Sequence, residues 1–259
     1  MISIARQTPA IEVRELSARL GQVLALNNVS LKVPQGKWTS VIGPNGAGKS
    51  TLLRAFAGLL DTHTNVQIFG ESLNKLSARD RAKRVSWLGQ NERLSGDMSV
   101  YDLVMLGRLP YQSWLASPTA NDHLLVQQSL EEVHALSWKN RSIGELSGGE
   151  QQRVFIARAL AVDADILLMD EPLNNLDPPH QSDCLRLIGR LIAQGKTVIT
   201  VLHEIAFSLY SDQVIVMDAG QVVFQGLSIE TQTHRLIEKV FQNRIQIHSF
   251  MNRLVVLPV

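Results

Sequence analysis

An α/β fold in a single domain spanning residues 1–259 is predicted by three observations. Short runs at 39–42, 166–169, 198–202 and 214–217 read as buried strands, the last three largely apolar because a strand covered on both faces has no polar side to alternate with. A glycine-rich turn, Gly43-Pro44-Asn45-Gly46-Ala47-Gly48-Lys49-Ser50-Thr51, separates the first run from a helical pattern. Between the first two runs, residues 92–162 read as mostly helical, so a helical lobe is inserted into the strand series. The length suits one large domain with a subsidiary lobe.

At the start of the chain, alternating segments at 11–16 and 29–33 predict strands flanking the one at 39–42, with breaks at Gly21, Asn27-Asn28 and Pro34-Gln35-Gly36. Residues 51–60 then predict a helix with Leu52, Leu53, Phe56 and Leu59 on one face. The glycines of the turn between strand and helix leave backbone N–H groups free to point at β- and γ-phosphates. Lys49 adds a point charge and Ser50 a hydroxyl for Mg²⁺, at a helix N-terminus that already favours anions. This P-loop predicts binding of ATP or GTP. The competing reading, a glycine-rich loop that binds nothing, is weakened by the strand before it and the helix after it.

Within the helical lobe, Ser99 and Asp102 read as a capping box, Gly107 and Pro110 as a stop, and Leu125, Ser129 and Val133 as a helical face after Asn121. Leu146-Ser147-Gly148-Gly149-Glu150-Gln151 precedes a stretch with Val154, Ala157, Leu160 and Ala161 on one face, with Ser147 as N-cap and Glu150 closing a capping box. Alone, this motif reads equally as a second anion site and as an ordinary capped helix. The run at 166–169 ends in Asp170-Glu171-Pro172. Asp170 is placed to hold a Mg²⁺ shell and Glu171 to orient or deprotonate an attacking water. Further on, Cys184, Leu187, Ile188, Leu191 and Ile192 share a helical face within 179–194, so the lone Cys184 reads as core packing, with no disulfide or thiol cluster available. Asp218-Ala219-Gly220 turns the strand at 214–217 into Val222-Val223-Phe224.

In the order P-loop, Gln90, Leu146-Ser147-Gly148-Gly149 with Gln151, Asp170-Glu171, Asp177 and His203, these residues resemble the ATP-binding subunit of ABC transporters through nearly the whole chain. The resemblance implies a P-loop NTPase with a mixed β-sheet core, an antiparallel β subdomain and an inserted helical subdomain, hydrolysing ATP with Mg²⁺. By position, Gln90 is similar to the Q-loop glutamine that touches Mg²⁺ and links the site to a permease. Asn175-Leu176-Asp177 is similar to the D-loop, and His203 to the switch histidine at the γ-phosphate. Glu171, His203 and Gln90 are thus the implied catalytic set, and Ser50, Gln90 and Asp170 the implied metal set.

The helix at Ser147 lies on the inserted lobe, too far from its own Lys49 to close over the same nucleotide. The resemblance implies a head-to-tail homodimer in which each ATP lies between one chain's Gly43 to Thr51 and the other chain's Ser147, Gly148, Gly149, Gln151 and Asp177. Residues 76–81, 99–104, 106–111, 240–241 and 255–258 are similar to the subfamily that energises uptake of iron-siderophores, haem and cobalamin. That likeness implies transmembrane permease subunits and, indirectly, a substrate-binding protein. The alternative is a non-transport ABC ATPase of iron-sulfur assembly, translation or DNA-associated type. A second cassette with a charged linker, or long heptads, would mark the latter two, and the sequence carries neither.

Two positions depart from the family pattern. Leu20 stands where an aromatic residue usually stacks on adenine, which predicts weaker base binding and looser preference for ATP over GTP. Asn174-Asn175 stands where serine and alanine are more usual. With 25 basic and 24 acidic residues, the net charge of +1 gives no broad surface for nucleic acid. The cluster Arg79, Arg81, Lys83 and Arg84 reads as a solvated helix face. No apolar run approaches the roughly twenty residues of a membrane helix, and the start lacks a signal-peptide pattern. The chain is expected in the cytoplasm, peripheral on the inner face of the membrane.

Overall fold

The computed structural model describes residues 8–60, 65–90, 97–113, 116–251 and 253–259. Strands β1 (Ile11–Leu20) and β2 (Val23–Val33) form an antiparallel hairpin turning at Gly21, where φ is 57°. Both run past the expected 11–16 and 29–33. Asn27-Asn28 does not break the second strand, because the ladder shifts register there and Asn28 takes a φ of 51°. Strand β3 (Trp38–Ile42) leads through the P-loop into α1 (Lys49–Phe56). This helix stops short of the expected residue 60. Gly58 turns left-handed at φ 66°, and the Leu59 N–H donates back to the Arg54 carbonyl at 2.9 Å, closing a Schellman cap. Leu59, expected on the buried face, is exposed in consequence.

Strand β4 (Val66–Ile68) pairs with β1, and β5 (Glu71–Ser72) pairs with β4, giving an antiparallel sheet of order β2-β1-β4-β5. Helix α2 (Ala78–Arg84) then runs into β6 (Val85–Leu88). The basic face of α2 is not simply solvated. Arg79 donates to the Pro110 and Gln112 carbonyls at 2.7 and 3.0 Å, Arg84 pairs with Glu71 at 2.7 Å, and the Lys83 ammonium lies 5.3 Å over the Tyr111 ring.

Helices α3 (Val100–Met105), α4 (Ala120–Glu132) and α5 (Gly148–Ala161) come next, ahead of strand β7 (Ile166–Asp170). The expected start of the helical lobe, Glu92, lies outside the described residues. Ser99 caps α3 by accepting from the Asp102 N–H at 3.0 Å, and its hydroxyl donates to the Asp102 carboxylate at 2.6 Å. Gly107 and Pro110 do not stop the coil at once: a 3-10 turn, Leu106–Tyr111, continues from α3. A Cβ on Gly107 would meet the Arg158 carbonyl oxygen at 2.5 Å, so this crossing over α5 demands glycine.

One buried ion pair locks the three helices together. Arg108 and Asp122, with side chains 4% and 5% exposed, meet at 2.8 Å. Arg108 also donates to the Ala161 and Val162 carbonyls at 2.7 and 3.1 Å. Thr119 gives Asp122 its N–H at 2.8 Å and its hydroxyl at 2.7 Å. Burial pushes the Asp122 carboxyl up, but the bonds from Arg108 and Thr119 and the Arg108 charge outweigh it and hold the group at about 2.

The remaining elements are α6 (Pro178–Ala193), β8 (Thr197–Val201), α7 (Ile205–Ser208), β9 (Gln213–Asp218), β10 (Gln221–Leu227), α8 (Thr231–Val240) and a hairpin of β11 (Ile245–Phe250) with β12 (Arg253–Pro258). The central sheet has the order β10-β9-β3-β8-β7-β6 and is parallel except at β10, which returns antiparallel to β9 over Ala219-Gly220. The neighbours of β3 are therefore β8 and β9. The strands expected to flank it, at 11–16 and 29–33, belong to the other sheet, where β1 pairs with β2 and β4.

Alternation along β7 divides the core. Ile166 and Leu168 pack towards α1 and the antiparallel sheet, with Leu52, Leu53 and Phe56, while Leu167 and Met169 pack towards α5 and α6, with Ile156, Leu187 and Ile188. Cys184 is buried in the second cluster, as expected, and burial raises its thiol to about 12. No helix among the described residues is long and apolar enough to cross a membrane.

Candidate nucleotide-binding and hydrolysis site

Four parallel strands end on one edge of the central sheet, and the predicted residues follow directly from them: the P-loop from β3, Gln90 from β6, Glu171 from β7 and His203 from β8. Open parallel sheets bind ligands at this edge, beyond the carboxyl ends of the strands.

The P-loop is tightly held by its surroundings. A Cβ at Gly43 would lie 2.2 Å from the Met217 carbonyl oxygen, and one at Gly48 would lie 2.4 Å from that of Ala25. Gly46 and Gly48 are left-handed, at φ 81° and 93°. Pro44 and Asn45 form the outer rim, Ala47 is buried, and Thr51 is buried in the first turn of α1. The first-turn N–H groups of a helix have no acceptor within it, so those of Lys49 and Ser50 are available to an anion. Lys49 is folded back on its own loop, donating to the Gly43 and Pro44 carbonyls at 2.8 and 2.9 Å. Burial lowers its pKa, opposed by the charges of Glu171 and Asp170.

Glu171 is the most heavily engaged side chain of the site. It is 6% exposed, with a left-handed φ of 58°, and its N–H donates to the Val201 carbonyl at 2.9 Å. Gln90 Nε2 donates to Glu171 Oε1 at 2.7 Å, and His203 Nε2 lies 2.6 Å from the same oxygen. Asn174 Nδ2 donates to Oε2. The three residues expected to be catalytic thus share one carboxylate oxygen, beside a cavity of about 150 Å³ that Glu171, Asn174 and His203 help to line.

Asp170, by contrast, is 1% exposed and has no hydrogen-bond partner of good geometry on either oxygen. Burial raises its pKa, with the neighbouring Ser50 hydroxyl lowering it and the Glu171 charge raising it again. A buried carboxylate with two unused oxygens next to a hydroxyl suits a hard cation. Among the described residues no three His, Cys, Asp or Glu converge on a metal site.

The Ser147 turn is built as the sequence predicts. Ser147 accepts from the Glu150 N–H at 3.3 Å, and Glu150 accepts from the Ser147 N–H at 2.8 Å. Ser147 and Gly148 face solvent, while a Cβ on Gly149 would meet the Asn175 carbonyl oxygen at 2.7 Å. Gln152 donates to the Pro172 carbonyl at 3.2 Å, so this turn is seated on the segment that follows Glu171. Gln151, expected at the nucleotide, donates to the Ile143 and Leu146 carbonyls at 3.2 Å each and braces its own turn. Asp177 is the N-cap of α6, accepting from the His180 N–H at 3.2 Å.

The family model for the ABC transporter matches residues 26–174, more than half of the chain. The chain belongs to the ABC transporter family. Over 248 residues this ABC cassette is 34% identical to the petrobactin import ATP-binding protein YclP of Bacillus subtilis, covering 95% of this chain and 98% of the relative. The iron(3+)-hydroxamate import ATP-binding protein FhuC of the same organism is 34% identical over 236 residues, covering 90% and 88%. A solved dimeric post-hydrolysis state of the ATP-binding cassette MJ0796, bound to ADP and Pi, superposes with a TM-score of 0.76 at 27% identity, covering 85% of this chain and 99% of that one. As a member of this family the chain is an ATP-binding ATPase coupled to transport.

Sequence reasoning noted Asn174 only as a departure from the family pattern and missed its contact with Glu171. An amide three residues after a carboxylate, in a turn where the Asn174 N–H also meets the Glu171 carbonyl at 3.2 Å, was the available signal. Leu20 lies exposed with Val23 and Leu24 at the β1–β2 tip, and the adjoining Ala25 carbonyl touches the P-loop at Gly48. Three aliphatic side chains offer a base apolar contact without ring stacking. Leu20→Phe is expected to tighten ATP binding about fivefold, the equivalent of about 1 kcal/mol of aromatic contact. Calorimetric titration with ATP and GTP checks this, and unchanged affinities would remove Leu20 from the base site.

Proposed function

We propose that this single-domain cassette, residues 1–259 with a helical subdomain over about 92–162, hydrolyses ATP to drive import of an iron chelate across the cytoplasmic membrane. The observation that carries the hydrolytic part is the engagement of buried Glu171 with Gln90 and His203 at the edge where the P-loop lies. The cargo class rests on the siderophore-importer relatives together with the regional likeness at 76–81 and 99–111. Haem and cobalamin are further chelates of the same class.

In this reading the phosphates of ATP take up the N–H groups of Gly46 to Thr51, and Lys49 exchanges its two loop carbonyls for phosphate oxygens. Asp170 and Ser50, with Gln90, would hold Mg²⁺, whose role is to offset charge on the β- and γ-phosphates. Glu171 accepts a proton from water as the water oxygen bonds to the γ-phosphorus and the bond to the ADP oxygen breaks. His203 steadies the γ-phosphate. A second copy supplies Ser147, Gly148, Gly149 and Asp177, with Gln151 bracing that turn, in a two-fold dimer that opens after hydrolysis. Gln90 and the helical lobe pass the change to transmembrane permease subunits, fed by a substrate-binding protein, so the cassette works on the inner membrane face.

Extraction of the Glu171→Gln form with ATP in mild detergent, followed by mass spectrometry, tests the assembly. A many-helix permease is the expected companion. Recovery only with ribosomal, DNA-associated or iron-sulfur assembly proteins would overturn the importer reading. Radiolabelled uptake by the reconstituted complex then tests the cargo, and transport of a free divalent metal in preference to any iron chelate would overturn that assignment.

A further inference from the structure

The two oxygens of Glu171 are served by different kinds of donor. Oε1 is shared by Gln90 and His203, which stand at the ends of β6 and β8, and both are substantially exposed. Oε2, among the described residues, is held by Asn174, from within the same short turn, where the Asn174 backbone N–H is also bonded to the Glu171 carbonyl. The first pair can leave when a nucleotide arrives. Asn174 is carried by the same short turn as Glu171, so its amide stays beside Oε2 whatever the strands do, and the next residue, Asn175, is packed beneath Gly149 of the Ser147 turn.

We propose that Asn174 is a positioning residue for hydrolysis: its side-chain amide pins Oε2 of Glu171 and so fixes Oε1 as the oxygen that takes the proton from water. The inference rests on the reading of Glu171 as the base. A carboxylate with one free torsion presents either oxygen to the water, and a fixed one presents the correct oxygen at the correct angle in every turnover. Small losses of such alignment can cost up to about a hundredfold in rate.

Two variants of the same shape separate positioning from a structural role in the turn. Asn174→Leu removes the donor, and Asn174→Asp replaces it with a second carboxylate that repels Oε2. Steady-state ATP hydrolysis by the permease-bound complex should show kcat lowered about tenfold or more in Asn174→Leu and further in Asn174→Asp, with KM for ATP within twofold of wild type. The ATP-bound dimer of both variants should outlast that of wild type on size exclusion. A structural role predicts the reverse ranking, because aspartate suits a polar turn better than leucine does.

Melting temperatures are taken for both, and if Asn174→Leu does not fold, the split between kcat and KM in Asn174→Asp decides. Wild-type kcat in either folded variant, or a KM that rises as kcat falls, overturns the proposal. Glu171→Gln run in parallel distinguishes the two readings. If it hydrolyses ATP normally, the base assignment fails. If it is inactive while the Asn174 variants are normal, only the positioning role fails.

Discussion

Glu171→Gln is expected to bind ATP normally and to lower turnover by about 10²–10⁴-fold, the range associated with loss of a general base. The substitution keeps the shape but not the hydrogen bonding. A carboxylate accepts on both oxygens, from Gln90 and His203 on one and Asn174 on the other. An amide has one acceptor, so its oxygen serves the paired donors while its NH₂ meets Asn174, whose amide must turn its oxygen inward to accept, a rearrangement costing about 1 kcal/mol. The protein should fold, retain nucleotide and accumulate as an ATP-filled dimer. Single-turnover hydrolysis with labelled ATP, read beside size exclusion, checks both halves. Hydrolysis at the wild-type rate would show that Glu171 is not the base.

The second large effect concerns stability. Arg108→Leu should destabilise the cassette by about 3–5 kcal/mol, because it strands the Asp122 carboxylate at a buried position and strips two carbonyls at the end of α5 of their donor. Replacing both partners by apolar residues should recover much of that loss. The pair also predicts a pH signature. Asp122 is held at about 2, below its ordinary 3.8, so the folded state binds its proton less readily than the unfolded chain does. Its stabilisation is complete above pH 3.8 and is lost as pH falls through 2. Urea denaturation across that window should show the wild type weakening more steeply than Asp122→Asn, and equal slopes would contradict the assignment.

The strands that carry the site were legible because burial on both faces leaves continuous apolar runs, as at 166–169 and 198–202. The P-loop and the capped Ser147 helix were legible because each needs particular residues at fixed spacing. Sheet membership was not legible for 11–16 and 29–33, since alternation reports a covered face without saying what covers it. The end of α1 was misread because helical periodicity continues through Leu59, whereas Gly58 decides where the coil stops. Within the site, Gln90, Glu171 and His203 were found by position, but their convergence on one oxygen depends on a fold that brings residues 90, 171 and 203 together. The engagement of Gln151 with its own turn was not legible because it depends on how residues 143–146 fold back on the helix start.

Gly149 seats the Ser147 turn directly on Asn175, one residue past the amide that holds Glu171. In the proposed dimer, a turn offered to the neighbour's ATP is therefore bolted to the machinery of its owner's ATP. A subunit with a bulky residue at Gly149 would spoil its partner's site through the displaced turn and its own through the shifted Asn175. In a cell expressing both normal and altered copies, every mixed pair would be lost, so the damage would be dominant. With equal expression and random pairing, only about a quarter of the assemblies would remain whole.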